Sequence, residues 1–583
     1  MVKCYIPNYP RPQFVRKNWT DLCGNWSFRF DDNRVGYKEG WFQGFKDKDI
    51  VVPFTYETKK SGIDTQEHHE CVWYSRLFEV SNFTEGSKRV LLHFEGSDYK
   101  TTVWVNGCCV GSHVGGYSRF SFDISDYMKT GENHLVVRCE DSKDKRIPRG
   151  KQRWIDENFG CWYVQTTGIW KQVWLEEISD IYLDNVKITP DFDNACVTLE
   201  YELNKVVEDC SIEVVVSFKG DRIARNTVLM NKVNQKTIID LTSDNYDWSI
   251  HAWSPDNPNL YDLEFSVIVN GQVVDNVGSY FGLRKISIHG NNVLLNNAPI
   301  YQKLILDQGY WPDSGLTPPS EYALIEDIDK IKDLGFNGLR KHQKTEDERF
   351  AYWCDVKGLL MWVEMPSPYF FDDSMIENFT VEWLSIVRQY YNHPSNITWT
   401  PFNECWGVFR IKTEDPQQDF VTGIYNLTKA MDPNRPVITN DGYDHTCSDI
   451  ITLHDYEQDA SRFLEIFEDA EALLENEKAM SCNKFVFADG WEYDGEPVII
   501  SEYGGIAIDG RGEGWGYGNR VKDETGLVER FSALTKTIMS LDYVCGYCYT
   551  QVSDVQQEVN GLMDANRNFK CDPAAIRKIN LLK

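Results

Sequence analysis

Asn396-Ile-Thr-Trp-Thr-Pro-Phe-Asn403-Glu404-Cys-Trp-Gly407 and Pro497-Val-Ile-Ile-Ser-Glu502-Tyr-Gly-Gly505 decide how this chain reads. Each opens as a short apolar run, the pattern of a buried strand, and each is closed by a glutamate where the strand meets a loop. Glutamate is rarely buried without a partner, so neither reads as an ordinary core residue. Outward from these two segments the pattern alternates strand and helix. Leu324, Ile325, Ile328, Ile331 and Leu334 recur at helical spacing, with Ser320 placed to cap the helix and Gly335 to stop it. The run 336–340 reads as the next strand, followed by a helix near 347–357 and a strand over 359–364. Further helices are expected near 376–392, 416–431, 459–479 and 524–541, and further strands at 436–440, 450–455, 497–502 and 544–551. Repeated strand–helix units from residue 285 to 583 predict a (β/α)8 TIM barrel, whose site lies at the C-terminal ends of its strands. Two carboxylates held there on separate strands suit cleavage of a glycosidic bond by a proton donor and a nucleophile roughly 5 Å apart.

The first half of the chain has a different rhythm. Residues 1–178 carry short alternating runs between turn signals, such as Val90-Leu-Leu-His-Phe-Glu95 and His134-Leu-Val-Val-Arg-Cys139. Asn106-Gly107 between two such runs is a hairpin signal, and the segment reads as a β-sandwich closed by Thr167–Leu175. Residues 179–284 stay β but more polar, with period-two runs at 195–201, 211–217 and 263–269, which suggests an immunoglobulin-like sandwich.

Composition excludes several classes. At 583 residues the chain is too long for one core. A formal charge of −29 disfavours nucleic acid and anionic membrane surfaces. No apolar run is long enough to cross a bilayer, and the N-terminus shows no export signal, so a cytoplasmic location is expected. The 16 cysteines are then expected as reduced thiols, and Cys545-Gly-Tyr-Cys548, with no second pair, as a structural feature of an apolar strand. Aromatic residues are plentiful, a supply for sugar stacking or for large cores alike. No histidine cluster at metal-ligand spacing appears, so neither metal nor cofactor is expected.

Across nearly its whole length the chain resembles glycoside hydrolase family 2, the β-galactosidase, β-glucuronidase and β-mannosidase family. The likeness rests on Thr101-Thr-Val-Trp-Val-Asn-Gly107, Val114-Gly-Gly-Tyr-Ser-Arg-Phe-Ser-Phe-Asp-Ile124 and Thr166-Thr-Gly-Ile-Trp170, then on Asn403-Glu404 and Glu502-Tyr-Gly-Gly505. It implies three domains in order: a jelly-roll-like sugar-binding β-sandwich, an immunoglobulin-like β-sandwich and a catalytic TIM barrel. It also implies a retaining exo-glycosidase in which Glu502 is the nucleophile and Glu404 the acid and then the base. That chemistry needs one carboxyl protonated and the other ionised, which mutual repulsion of nearby carboxylates assists. By the same resemblance Asn403 would donate to the sugar 2-hydroxyl, and Tyr456 would hydrogen-bond the nucleophile, with His454 or Asp455 as alternatives facing the pocket. Asp307, after the first barrel strand, is placed as a substrate ligand.

Other residues carry two readings each. Arg340 and His342 follow a strand: Arg340 either lines the pocket or fixes carboxylates beneath it, and His342 either touches sugar hydroxyls or is an ordinary buried histidine. Glu364 supports the site or forms a structural ion pair, and Trp491 and Tyr549 offer a stacking face or pack in the core. The acidic run from Glu465 to Glu477 reads as a solvated helix face. Glucuronide-cleaving relatives carry Asn-x-Lys-Gly in the last barrel loops, where this chain has Glu558-Val-Asn560-Gly561. Burying a uronate without a cation is costly, so a β-galactoside-like neutral substrate is expected unless Lys341 or Arg340 supplies the charge. Rival expectations are an α-L-arabinoside, a β-mannoside or a β-hexuronide, or a carbohydrate-binding protein without activity. Partners are then a small glycoside or oligosaccharide and, as is common among such enzymes, further copies of the chain.

Overall fold

The computed structural model describes residues 2–80, 89–242 and 249–583. The N-terminal domain is a jelly-roll-like β-sandwich of a four-stranded and a six-stranded antiparallel sheet. Phe28, Val72, Tyr74, Leu92, Val103 and Val137 fill the space between them. Asn106 (φ 52°) and Gly107 (φ 81°) take up left-handed backbone between strands Lys100–Val105 and Cys108–Val114, the conformation a tight hairpin requires. The immunoglobulin-like domain pairs a three-stranded with a four-stranded sheet, and alternate residues Ile212, Val214 and Val216 point into its core.

The C-terminal domain is the barrel. Seven parallel strands run in the order Asn396–Thr400, Leu360–Glu364, Gly338–Lys341, Gln302–Asp307, Val544–Thr550, Val498–Gly504, Ile451–His454. A short pair, Phe402–Asn403 with Asn440–Asp441, and a bridge between Trp399 and Val437 fill the gap between the two ends. Helix Glu321–Asp333 begins at Ser320, whose side chain accepts from the Ala323 amide, and buries Leu324, Ile328 and Ile331 against the barrel. Gly335 (φ 85°) ends it. Regular alternation breaks once: after Asn440–Asp441 the chain reaches the next strand through a Gly/Asp/Thr/Ser-rich loop with no helix. That stretch is too short for a helical crossover, and its polar side chains tie the loop down instead.

The N-terminal domain does not stop at the sandwich. Its loop 141–167 crosses onto the barrel mouth, where the Arg149 and Gly150 amides donate to the Ser367 carbonyl at 3.2 and 3.1 Å. Gln557 Nε2 donates to the carbonyls of Gly160 and Trp162 at 3.0 and 2.9 Å.

Candidate active site

Glu404 and Glu502 close the fourth and seventh barrel strands on the same rim. Glu404 and Cys405 both adopt left-handed backbone (φ 50° and 61°), which costs non-glycine residues about 1–2 kcal/mol each. Three bonds hold this turn: Glu404 N to the Asp441 carbonyl, Cys405 N to Asn440 Oδ1 and Trp406 N to the Asn403 carbonyl, each 2.9 Å. The turn projects Glu404 into a cavity of about 560 Å³ lined by Tyr443, His454, Tyr456, Cys482, Tyr517 and Asn519. One oxygen of Glu404, one of Glu502 and a ring nitrogen of His454 all lie within 4.8 Å of one another.

Arg340 is the centre of the floor. Fully buried, it places Nε 2.9 Å from Glu364 and Nη1 2.7 Å from both Asp441 and Glu502, and Nη2 donates to Asn403 Oδ1 at 2.5 Å. Burial disfavours its charge, but Asp441, Glu364 and Glu502 raise its pKa well above the ordinary value. On Glu502, burial pulls the carboxyl up while His454 and Arg340 pull it down, and the result is a pKa of about 2. Tyr456 donates its hydroxyl to the other oxygen of Glu502. His454 sits between the two glutamates, with Nδ1 2.9 Å from Glu404 Oε1 and Nε2 3.4 Å from Asp441 and 3.6 Å from Glu502. Burial opposes its charge, but Glu502 and Asp441 push its pKa up to about 10. The three residues form the one cluster among the described residues spaced to take a metal ion.

The residues expected from sequence fall into two groups. Asn403 and Tyr456 join the glutamates. Arg340 fixes Asn403 through its oxygen, and Asn403 Nδ2 finds no hydrogen-bond partner among the described residues. Of the two alternatives to Tyr456, His454 also faces the site, while Asp455 turns away to bind Ser481. Arg340, expected as a substrate ligand, has no exposed surface and acts only by holding the carboxylates above it. Asp307 is likewise fully buried, its carboxylate 2.7 Å from Lys341 Nζ, so the structure removes it from substrate contact. His342 lies one layer down, with Nδ1 3.0 Å from Arg340 and 3.1 Å from Glu364. Trp491 stands off the site: its Nε1 donates to Gln418 on helix Asp415–Met431, and other rings line the cavity. Tyr549 packs edge-on against Tyr503 and Phe531 in the core.

Sequence reading missed Asp441, Tyr517 and the N-terminal loop. Asp441 ends a barrel strand as Glu404 and Glu502 do, and that position was the available signal. Tyr517 stacks on Tyr456 with ring centroids 3.4 Å apart. Lys151 and Trp162 come from a loop whose domain reads as a plain sandwich, so nothing local marks them. Trp162 lies 5.7 Å from Trp406, and Lys151 Nζ lies 5.3 Å from the Trp406 ring.

Three family models match consecutive segments: the sugar-binding domain of glycosyl hydrolases family 2 over residues 19–178, the family's middle domain over 181–284 and its TIM barrel domain over 286–580. The chain belongs to glycosyl hydrolase family 2. A putative β-glucuronidase of Formosa agariphila is 28% identical over 62% of this chain and 44% of its own length. A β-galactosidase of Thermoanaerobacter pseudethanolicus is 26% identical over 66% of this chain and 51% of its own. The chain thus spans about half the length of these two relatives. A family 2 β-galacturonidase from Eisenbergiella tayi, solved with glycerol, superposes with a TM-score of 0.75 at 21% identity, covering 100% of this chain and 98% of that one. The relatives' names divide between β-glucuronidase and β-galactosidase, at similar distance.

Proposed function

We propose that the chain is a retaining exo-β-glycosidase that removes terminal non-reducing sugars by double displacement. The observation that carries this reading is the carboxylate pair: oxygens of Glu404 and Glu502 lie within 4.8 Å, the spacing of a nucleophile and an acid/base rather than of two groups flanking a water. Glu502, ionised down to about pH 2, attacks the anomeric carbon. Glu404, the more exposed of the two, protonates the leaving oxygen, and the His454 ring lies 2.9 Å from it. In the second step Glu404 takes a proton from water, which then displaces Glu502. Asn403 Nδ2, oriented by Arg340, donates to the 2-hydroxyl as positive charge develops at the anomeric centre. The sugar that the sequence favours is a β-galactoside-like neutral hexose. β-Hexuronide is the rival, because similar proteins are named β-glucuronidase and β-galacturonidase, although Glu558 and Asn560 stand where glucuronide-cleaving relatives have Asn and Lys.

Two measurements test the mechanism. Proton NMR of aryl-glycoside hydrolysis is expected to show the β-anomer as first product, and the α-anomer would sink the retaining reading. Glu502→Ala is expected to lose at least ~10⁴-fold in kcat, with azide restoring turnover as a glycosyl azide of inverted configuration. A variant that keeps its activity would remove Glu502 as nucleophile.

A further inference from the structure

A second cavity, of about 480 Å³, lies where N-terminal-domain loops (57–66 and 158–166) meet barrel loops (310–315 and 554–557). It shares no lining residue with the cavity that holds Glu404. Glu57 lines it and is only 4% exposed, and neither of its carboxyl oxygens has a hydrogen-bond partner among the described residues. Thr167 turns its hydroxyl to Asp141 instead, at 3.3 Å. Burial pushes the Glu57 carboxyl up to about 8, and the hydroxyls of Thr55 and Thr167 offset only part of that rise. A buried carboxyl without partners is costly, and one that lines an open cavity marks a place for a ligand able to donate to it.

The charges around the cavity set the sign of that ligand. Lys59 is taken by Asp313 at 3.2 Å. Arg153 is spent on Gln165 Oε1, Asn158 Oδ1 and the Gln66 carbonyl at 2.9, 3.0 and 2.8 Å. Asp554 accepts from Lys570 and from the Gly561 amide. That leaves Glu57 and the exposed Asp64, which has no ion pair among the described residues. Two free carboxylates and no free cation on the walls favour a positive ligand, and an ammonium brings both the charge and three donors. A stacked sugar is disfavoured, because Lys344 and Arg567 already lie over the Trp311 ring, 4.9 and 5.0 Å from its centroid.

We propose that this cavity is a binding site for a small organic ammonium, held by Glu57 with Asp64 at its exposed side. Its occupant braces the docked N-terminal loop, since Gln556 and Gln557 on the same wall hold Asn158 Nδ2 at 2.6 and 3.1 Å. The site goes beyond the glycosidase reading and does not depend on it. Calorimetry and thermal melts in an amine-free buffer above pH 8 compare 1,4-diaminobutane with 1,4-butanediol, which has the same length and no charge. Wild type is expected to bind the diamine with Kd below about 1 mM, to melt higher in its presence and to ignore the diol. Glu57→Gln should melt at or above wild type when free, since the unpartnered carboxyl is gone, and bind the diamine at least ~10-fold more weakly. Asp64→Asn, at a left-handed position (φ 56°) that asparagine tolerates, should weaken binding ~2–5-fold. In wild type the diamine should slow amide exchange in 158–166 and 554–557. No binding, equal affinity in Glu57→Gln, equal affinity for the diol, unslowed exchange in both loops, or full displacement by an equal concentration of potassium chloride overturns the proposal. Each of these outcomes leaves the glycosidase reading standing.

Discussion

The floor of the site gathers Arg340, Glu364, Asp441, His454 and Glu502 from the ends of five barrel strands and buries every one of them. Its rim brings together Lys151 and Trp162 from an N-terminal loop and Trp406, Tyr517 and Glu558 from barrel loops. On the floor, charges meet at 2.7–2.9 Å and fix one another's protonation. At the rim, Lys151 and Glu558 stand 3.8 Å apart, a looser pair than those of the floor. Fixed charge at contact distance serves bond cleavage, which is the same for any β-glycoside. The rim is drawn from loops, one of them from another domain, and such loops can change without disturbing the barrel.

The sharpest way to break this contrast is at Glu404, the rim-facing member of the catalytic pair. Glu404→Ala is expected to lose about 10⁴-fold on alkyl glycosides and far less on activated aryl glycosides, whose leaving groups need no proton. Equal losses for both classes would deny it the acid role. Arg340→Met leaves three buried carboxylates without their cation and should destabilise the barrel by about 3–5 kcal/mol, read as a lowered unfolding midpoint. A stability change under ~1 kcal/mol would mean that the floor is not charge-organised. Charged His454 contributes its full stabilisation below its unfolded pKa of about 6.5 and loses it as pH rises toward about 10. His454→Asn should therefore cost stability below about pH 6.5 and, because His454 helps keep Glu502 ionised, move the acid limb of kcat/KM to higher pH by at least ~1 unit. An unmoved acid limb would separate His454 from the ionisation of Glu502. Trp491→Phe, off both floor and rim, should alter kcat/KM by no more than about twofold.

The three-domain architecture was legible because strand and helix periods are local: period-two runs mark the sandwiches, and Leu324, Ile328 and Ile331 at helical spacing mark a barrel helix. Glu404 and Glu502 were legible because a charge closing an apolar strand contradicts its surroundings. Asp307 satisfied the same test and is nonetheless buried, since its partner Lys341 lies on the neighbouring strand, invisible from either segment alone.

By itself, then, the sequence determined the order of domains and the residues able to do the chemistry, since both depend on patterns within a few residues of chain. Which charges touch, and therefore which are protonated, was decided only when the strands closed into a barrel around Arg340. The rim pair was decided later still in the hierarchy. Lys151 and Glu558 are 407 positions apart (558 − 151) and meet only because a sandwich loop docks across the barrel mouth. No local propensity encodes a contact between domains; it exists only where packing brings the two surfaces together.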